Sequence, residues 1–400
     1  VYKRQANTYI GIFIIMFSVI SSGMVAVMTQ NIGAGRPGVA YQARQLGLVF
    51  NAALGVIMSL FLSLGAGTIL SGVGVADALM QPAKTYLQIV GGFCILNALI
   101  PICSSYLRAF GFSKEPLYAS IIGNVINFCL NAFFLFVLHK GVAGVATATV
   151  ISRIINLVIV VLLGAVLVKA KQHPERESNR AVMGQIIRIG LPSACETAIY
   201  NVSMTLVIRF LNQMDAQGLN VTARSYTMQI TNFSYCVGAA LAQANAIMTG
   251  WHIGAKEYDA CDRGTKKAAV IGVIVAVILE TVFTLCSGWI MQLFSKDPQM
   301  VSLVGKLLAI DIVLEIGRVT NLVYGQALKT SGDAVFPVVM GACFMILCSV
   351  GGTYLFGIRL GLLAVGAYIG MAGDECVRAV GMYLRWKSGK WKEKGLVKSR

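Results

Sequence analysis

Residues Thr29–Gly38 read TQNIGAGRPG, and Gly33, Gly35 and Gly38 within them spell G-x-G-x-x-G, the spacing of a dinucleotide-binding turn. Such a turn follows a short strand, opens a helix and is answered by an acid about 20 residues later. Here the preceding run YIGIFIIMFSVISSGMVAVM (Tyr9–Met28) is far too long and apolar for a strand, and no Asp or Glu occurs before Asp77. The glycines read instead as the end of a long apolar helix, with Arg36 anchoring the turn.

The same turn recurs. Ile32-Gly33-Ala34 reappears as Ile253-Gly254-Ala255, an offset of 221, and at that offset LRAFGFSKEP (Leu107–Pro116) falls on LKTSGDAVFP (Leu328–Pro337). Leu107, Gly111 and Pro116 match Leu328, Gly332 and Pro337, and Arg108 meets Lys329. Lys256 replaces Gly35 in the second copy, so Gly33 and Gly254 are expected to be the glycines both copies require. Two anchors at one offset mark a duplicated chain.

Composition names the solvent. Of 400 residues, 56% are hydrophobic and 12% charged, about half the charge of a soluble domain. Apolar runs long enough to cross a ~30 Å hydrocarbon core recur throughout: roughly 8–32, 43–71, 84–107, 117–138, 142–169, 185–212, 222–252, 265–294, 300–328, 335–357 and 362–386. The short alternating segments of a membrane β-barrel are absent. The fold class is all-α polytopic membrane protein. The net charge of +16 sits in short connections rather than on a polar domain with stacking aromatics, which argues against nucleic acid as partner. Cysteines lie mostly inside apolar runs without C-x-x-C, and His139, His173 and His252 have no metal-ligand spacing, so neither disulfides nor a metal is expected.

With the C-terminus placed in the cytoplasm, alternate loops and the tail RWKSGKWKEKGLVKSR carry about 21 Lys or Arg against about 5 on the other side, as the positive-inside rule requires. The tail reads as an anchor at anionic lipid headgroups. Six spans separate the two I-G-A copies, so the halves share one orientation and are related by a pseudo-two-fold axis along the membrane normal. Subtracting 221 from the start of the second half, near Arg188, places one helix before residue 1. The expected organisation is a first lobe at 1–170, a cytoplasmic linker at 171–184, a second lobe at 185–386 and a basic tail at 387–400, with VYKRQ read as foreign to the native loop.

Six-plus-six parallel helices, the T-Q-N-I-G-A-G turn and its W-H-I-G-A echo, IGNVINFCLNAFF (Ile122–Phe134), LPSACE (Leu191–Glu196) and LEIGRVTN (Leu314–Asn321) together resemble the multidrug and toxic compound extrusion (MATE) family. The resemblance spans the whole chain. It implies twelve helices, about eleven of them present here, in two lobes around a central cleft. It also implies a monomer in the bacterial inner membrane, handling organic cations or drugs with no cofactor beyond a coupling H⁺ or Na⁺, and not an enzyme.

An ionisable group inside a span is costly and is a functional candidate by default. Glu196 has Tyr200 one turn on and Asn201 beside it, with no cation within a turn along the helix. It is either a carboxylate that exchanges H⁺ or Na⁺ or a protonated structural one. Asp311, Glu315 and Arg318 fall at i, i+4 and i+7, so Glu315 and Arg318 can pair. Asp311, nearer the outer end, is expected to be water-exposed. In the family this helix lines the second-half cavity, which leaves Glu315 either an ion relay or one half of a simple pair. Asn127 and Asn131 are helix–helix glue or, as the resemblance implies, ligands near the first-lobe cavity. Gln243 with Asn245, and Asn321 one turn from Arg318, form the polar set of the second half. Glu280, in VILETVF, is a buried acid or a lipid-edge residue, and Asp374 is spaced to pair with Arg378.

A lipid-linked oligosaccharide flippase of the same superfamily is the alternative function. It calls for a cation-rich cavity, whereas the intramembrane cations counted are Arg153, Arg209, Arg318 and Arg378. No H-E-x-x-H or G-x-S-x-G supports a membrane enzyme.

Overall fold

In a computed structural model, the described residues are 2–72, 77–169, 173–215 and 218–397, and their regular structure is entirely helical. The helices are α1 (Tyr2–Gly33), α2 (Pro37–Leu64), α3 (Ala66–Gly72), α4 (Asp77–Tyr86), α5 (Ile95–Ala109), α6 (Lys114–Ala132), α7 (Gly141–Leu167), α8 (Asn179–Met214), α9 (Leu219–Gly254), α10 (Tyr258–Leu285), α11 (Ser287–Met291), α12 (Pro298–Thr330), α13 (Val335–Phe344) and α14 (Leu363–Lys387). Wider π-helical turns extend several of them, at Leu87–Gly91, Phe133–Val137, Met345–Val350 and Thr353–Arg359. With those extensions and with α4 and α5 taken together, the long segments correspond to the eleven expected spans. Val1 of VYKRQ, residue 170 at the end of the expected first lobe, residues 171–172 of the linker and the last three residues of the tail lie outside the described residues.

Among the described residues, five helices are by themselves long and apolar enough to cross a membrane, and α4 with α5, bent by 41°, makes a sixth. Helices α12 and α14 depart from that composition because they carry the buried charges described below. The outer faces are apolar where a soluble protein would be polar: α6 exposes Leu117, Ile121, Ile122, Val125 and Phe128. A hydrocarbon surroundings makes that exposure favourable.

The chain divides into two compact units, Val1–Ala194 and Cys195–Arg400, with α8 running through the boundary. In the first unit Phe17, Leu62, Leu70, Tyr86, Leu87 and Val90 form a buried core. In the second, Val207, Leu211, Val304, Leu307, Leu308 and Tyr368 form one core, and Val319, Val323, Tyr324, Trp386 and Trp391 another.

The duplicated turns have one geometry. Helix α1 ends with Gly35 N–H donating to Ile32 O at 3.0 Å and Arg36 N–H to Asn31 O at 2.8 Å; α9 ends with Lys256 N–H to Ile253 O and Glu257 N–H to His252 O at the same distances. The second anchor pair repeats it, with Phe112 N–H on Leu107 O and Asp333 N–H on Leu328 O. All four are Schellman caps, in which a residue in the left-handed region lets two N–H groups reach back to orphan carbonyls. That residue is Gly35 (φ 72°) and, in the second copy, Lys256 (φ 61°). Gly33 and Gly254, expected to be the required glycines, are instead the last helical residues. The strained position is one residue further, and there a lysine has replaced the glycine.

The basic tail folds back on the second unit. The indole of Trp391 stacks on Trp386 at 4.1 Å, and its Nε1–H donates to Trp386 O. Trp386 Nε1–H donates to Asp262. Asp333, in the turn after α12, accepts from Arg385 at 2.7 Å and from Lys394 at 2.6 Å. Burial alone would raise its carboxyl, but those two donors prevail and hold it below the ordinary range. Tail residues Trp391 and Leu396 are therefore part of the packed structure rather than only a headgroup anchor.

Candidate functional site

The second unit concentrates its charge on three helices. Helix α10 supplies Glu280, α12 supplies Asp311, Glu315 and Arg318, and α14 supplies Asp374, Glu375 and Arg378. The spacing on α12 and α14 is what brings acid and arginine together, since residues three and four apart share a helix face. Arg318 pairs with Glu315 as expected. Asp374 and Arg378 also pair, in a two-pronged contact at 2.9 Å on each side.

Glu375 joins the two helices. Its Oε1 lies 2.9 Å from Arg378 Nη2 and 3.7 Å from Arg318 Nε, and its Oε2 accepts from Asn321 Nδ2 at 3.0 Å. Ser349 Oγ–H donates to Asp374 at 2.9 Å. Glu375, like Glu280, is an acid within an apolar span, and that is the trace it leaves in the sequence.

Acids outnumber cations here, and some remain without hydrogen bonds. Asp311 is 2% exposed and Glu280 0%. Both oxygens of Glu280, Oδ2 of Asp311 and Oε2 of Glu315 accept no hydrogen bond among the described residues. The expectation of a water-exposed Asp311 is thus corrected: thirteen residues into α12, it is covered by the packing of the second unit. Glu280, left open between interior and lipid edge, is interior and has Asp311, Glu315 and Arg318 as its charged neighbours. A buried carboxylate lacking partners is among the costliest groups a fold can hold.

Four of the charged groups on α12 and α14 open onto a cavity of about 280 Å³ within the second unit. Asp311, Arg318, Asp374 and Glu375 reach its wall, with Tyr200 on α8 and Tyr235 and Arg224 on α9. The Arg318 guanidinium lies 5.9 Å from the Tyr235 ring centroid. The wall thus combines aromatic, Met, arginine and carboxylate groups. Among the described residues no three Asp, Glu, His or Cys side chains converge as metal ligands.

Other expected site residues stand apart from this cavity. Glu196, expected to lack a cation, meets Lys329 at 2.5 Å. The partner comes from α12, so spacing along α8 gave no sign of it. Asn131 donates to Asn127 at 3.0 Å and Asn127 to Ser152 at 3.2 Å, tying α6 to α7 in the first unit. Asn201 and Gln243 are exposed and absent from the cavity wall, and Asn245 is buried but also absent from it. Of the polar set, Tyr200, Asn321 and Arg318 are brought together with the acids.

Known proteins share this architecture. The MatE family model matches residues 5–133 and 192–355. The transporter YisQ of Bacillus subtilis (strain 168) is 32% identical over 398 residues, covering 98% of this chain and 87% of its own. A protein of Thermotoga maritima described as the probable multidrug resistance protein NorM is 22% identical over 362 residues, covering 85% of this chain and 76% of its own. Two solved structures are similar in backbone, one described as MATE in the bent conformation and one as the outward-facing conformation of a multidrug resistance MATE family transporter. Their TM-scores are 0.87 and 0.84, each at 18% identity, covering 97% and 98% of this chain and 86% and 87% of theirs; these likenesses concern the fold. The chain belongs to the MatE family of multidrug and toxic compound extrusion membrane transporters.

Proposed function

We propose that the protein is a secondary active multidrug efflux transporter. It exports organic, often cationic, compounds by H⁺ or Na⁺ antiport through alternating access, from a bacterial plasma membrane with its C-terminus in the cytoplasm. The observation that carries this reading is the excess of buried carboxylates over arginines around one cavity. Such an excess is stable only if a proton, a cation or a cationic substrate balances it. Competition of substrate and coupling ion for the same charge is the thermodynamic basis of exchange.

Within this scheme Asp311 and Glu280 take up the coupling ion. Glu315 takes part by exchanging its hold on Arg318. Glu196, neutralised by Lys329, ties α8 to α12 instead of carrying the ion. The acid-rich wall disfavours the pyrophosphate of a lipid-linked saccharide, which sets the flippase alternative aside.

The test uses the full-length protein in proteoliposomes, with dye uptake driven by a pH or a Na⁺ gradient. Asp311→Asn is expected to reduce gradient-driven uptake roughly 10- to 100-fold, while Glu196→Gln retains it. Unchanged coupling in Asp311→Asn would remove that residue from the mechanism, and uptake indifferent to both gradients would remove antiport.

A further inference from the structure

Arg224 differs from Arg318, the other arginine on this cavity wall, in having no carboxylate partner among the described residues. It lies in the second turn of α9, is 7% exposed, and reaches the cavity wall beside Tyr200, Met228 and Tyr368. A guanidinium has five N–H donors in a fixed fork. Here Nη2 makes only a 3.7 Å contact to the thioether of Met204, and Nε donates to nothing among the described residues. No described carboxylate forms an ion pair with it: Asp374 and Glu375 are taken by Arg378 and Arg318, and Asp311 has Arg318 and Glu375 as its charged neighbours.

A buried arginine is normally paired, because its desolvation is otherwise uncompensated. A long side chain near the end of a helix can also extend to the surface, but Arg224 turns inward. A thioether is a weak acceptor and leaves the fork open toward the cavity. The planar fork matches a carboxylate, which can accept two parallel N–H bonds.

We propose that Arg224 is an anion-binding subsite of this cavity, so that the preferred ligands are zwitterions. The ligand's carboxylate docks on Arg224 and its cationic centre faces Asp311. The inference rests on the reading that transported compounds occupy this cavity, and it narrows the substrate class from organic cations to cations bearing a carboxylate.

Tetramethylrhodamine and its methyl ester share one dye and differ in a free carboxylate. Binding of each to the purified full-length protein is followed by fluorescence anisotropy at neutral pH. Wild type is expected to bind the acid at least about tenfold more tightly than the ester, the scale of charge-assisted hydrogen bonds. Arg224→Gln should bring the two affinities level with the ester's unchanged, and Arg224→Lys should keep part of the preference. The subsite is overturned if wild type binds the acid no better than the ester or binds neither, if Arg224→Gln keeps the preference, or if it weakens both dyes equally. Preference for the acid with no gradient-driven uptake would support the subsite and overturn antiport alone.

Discussion

The two halves differ in both side chains and backbone where the second carries its buried charge. At the offset of 221, Asp311, Glu315 and Arg318 fall on Val90, Cys94 and Asn97, and Glu280 falls on Ser59. In the first unit the helix breaks there, with Met80–Gly91 and Ile95–Ala109 inclined by 41°. Gly91 and Gly92 stand where the second half has Ile312 and Val313. The break removes a helical partner from Ile95 N–H, and Ser59 Oγ accepts it at 3.1 Å. In the second unit α12 runs unbroken through that place, and the residue in place of Ser59 is a carboxylate facing other carboxylates. One scaffold thus uses the same position to mend a bend in one half and to hold charge in the other. The first unit's nearest analogue of a charged interior is Arg153, close to Cys94, the counterpart of Glu315.

The comparison is broken most strongly at Glu375. Glu375→Ala removes an acid shared by two arginines, and the loss is expected to be about 3–5 kcal/mol, as for a buried pair stripped of one partner. Thermal unfolding of the purified protein measures it, with Glu375→Gln retaining the Asn321 contact and costing less. A fall no greater than that of an exposed acid would show that the α12–α14 charges are solvated. Ser59→Ala is a smaller perturbation: it leaves a buried N–H without an acceptor and should cost about 1–3 kcal/mol. Faster amide exchange near Ile95, with no change near Asp311, would place the effect on the bend. Lys256→Gly should be the smallest, stabilising by about 1 kcal/mol because it relieves a side chain held in the left-handed region. The matching Gly35→Ala should destabilise by a similar amount, and changes of the same sign at both turns would contradict their shared geometry.

Periodicity and repetition in the sequence were enough to establish a helical membrane protein, its duplication and the pairs Glu315–Arg318 and Asp374–Arg378. Each of these depends on spacing along one chain segment, where 3.6 residues per turn dictates who meets whom. The site was legible only in part. Lys329 reaching Glu196, Glu375 joining Arg318 to Arg378, the burial of Asp311 and Glu280, and the opening of Arg224 onto a cavity were decided by tertiary structure. Each depends on how neighbouring helices are rotated and offset, which is set by packing over many side chains at once and leaves no local trace in the order of residues.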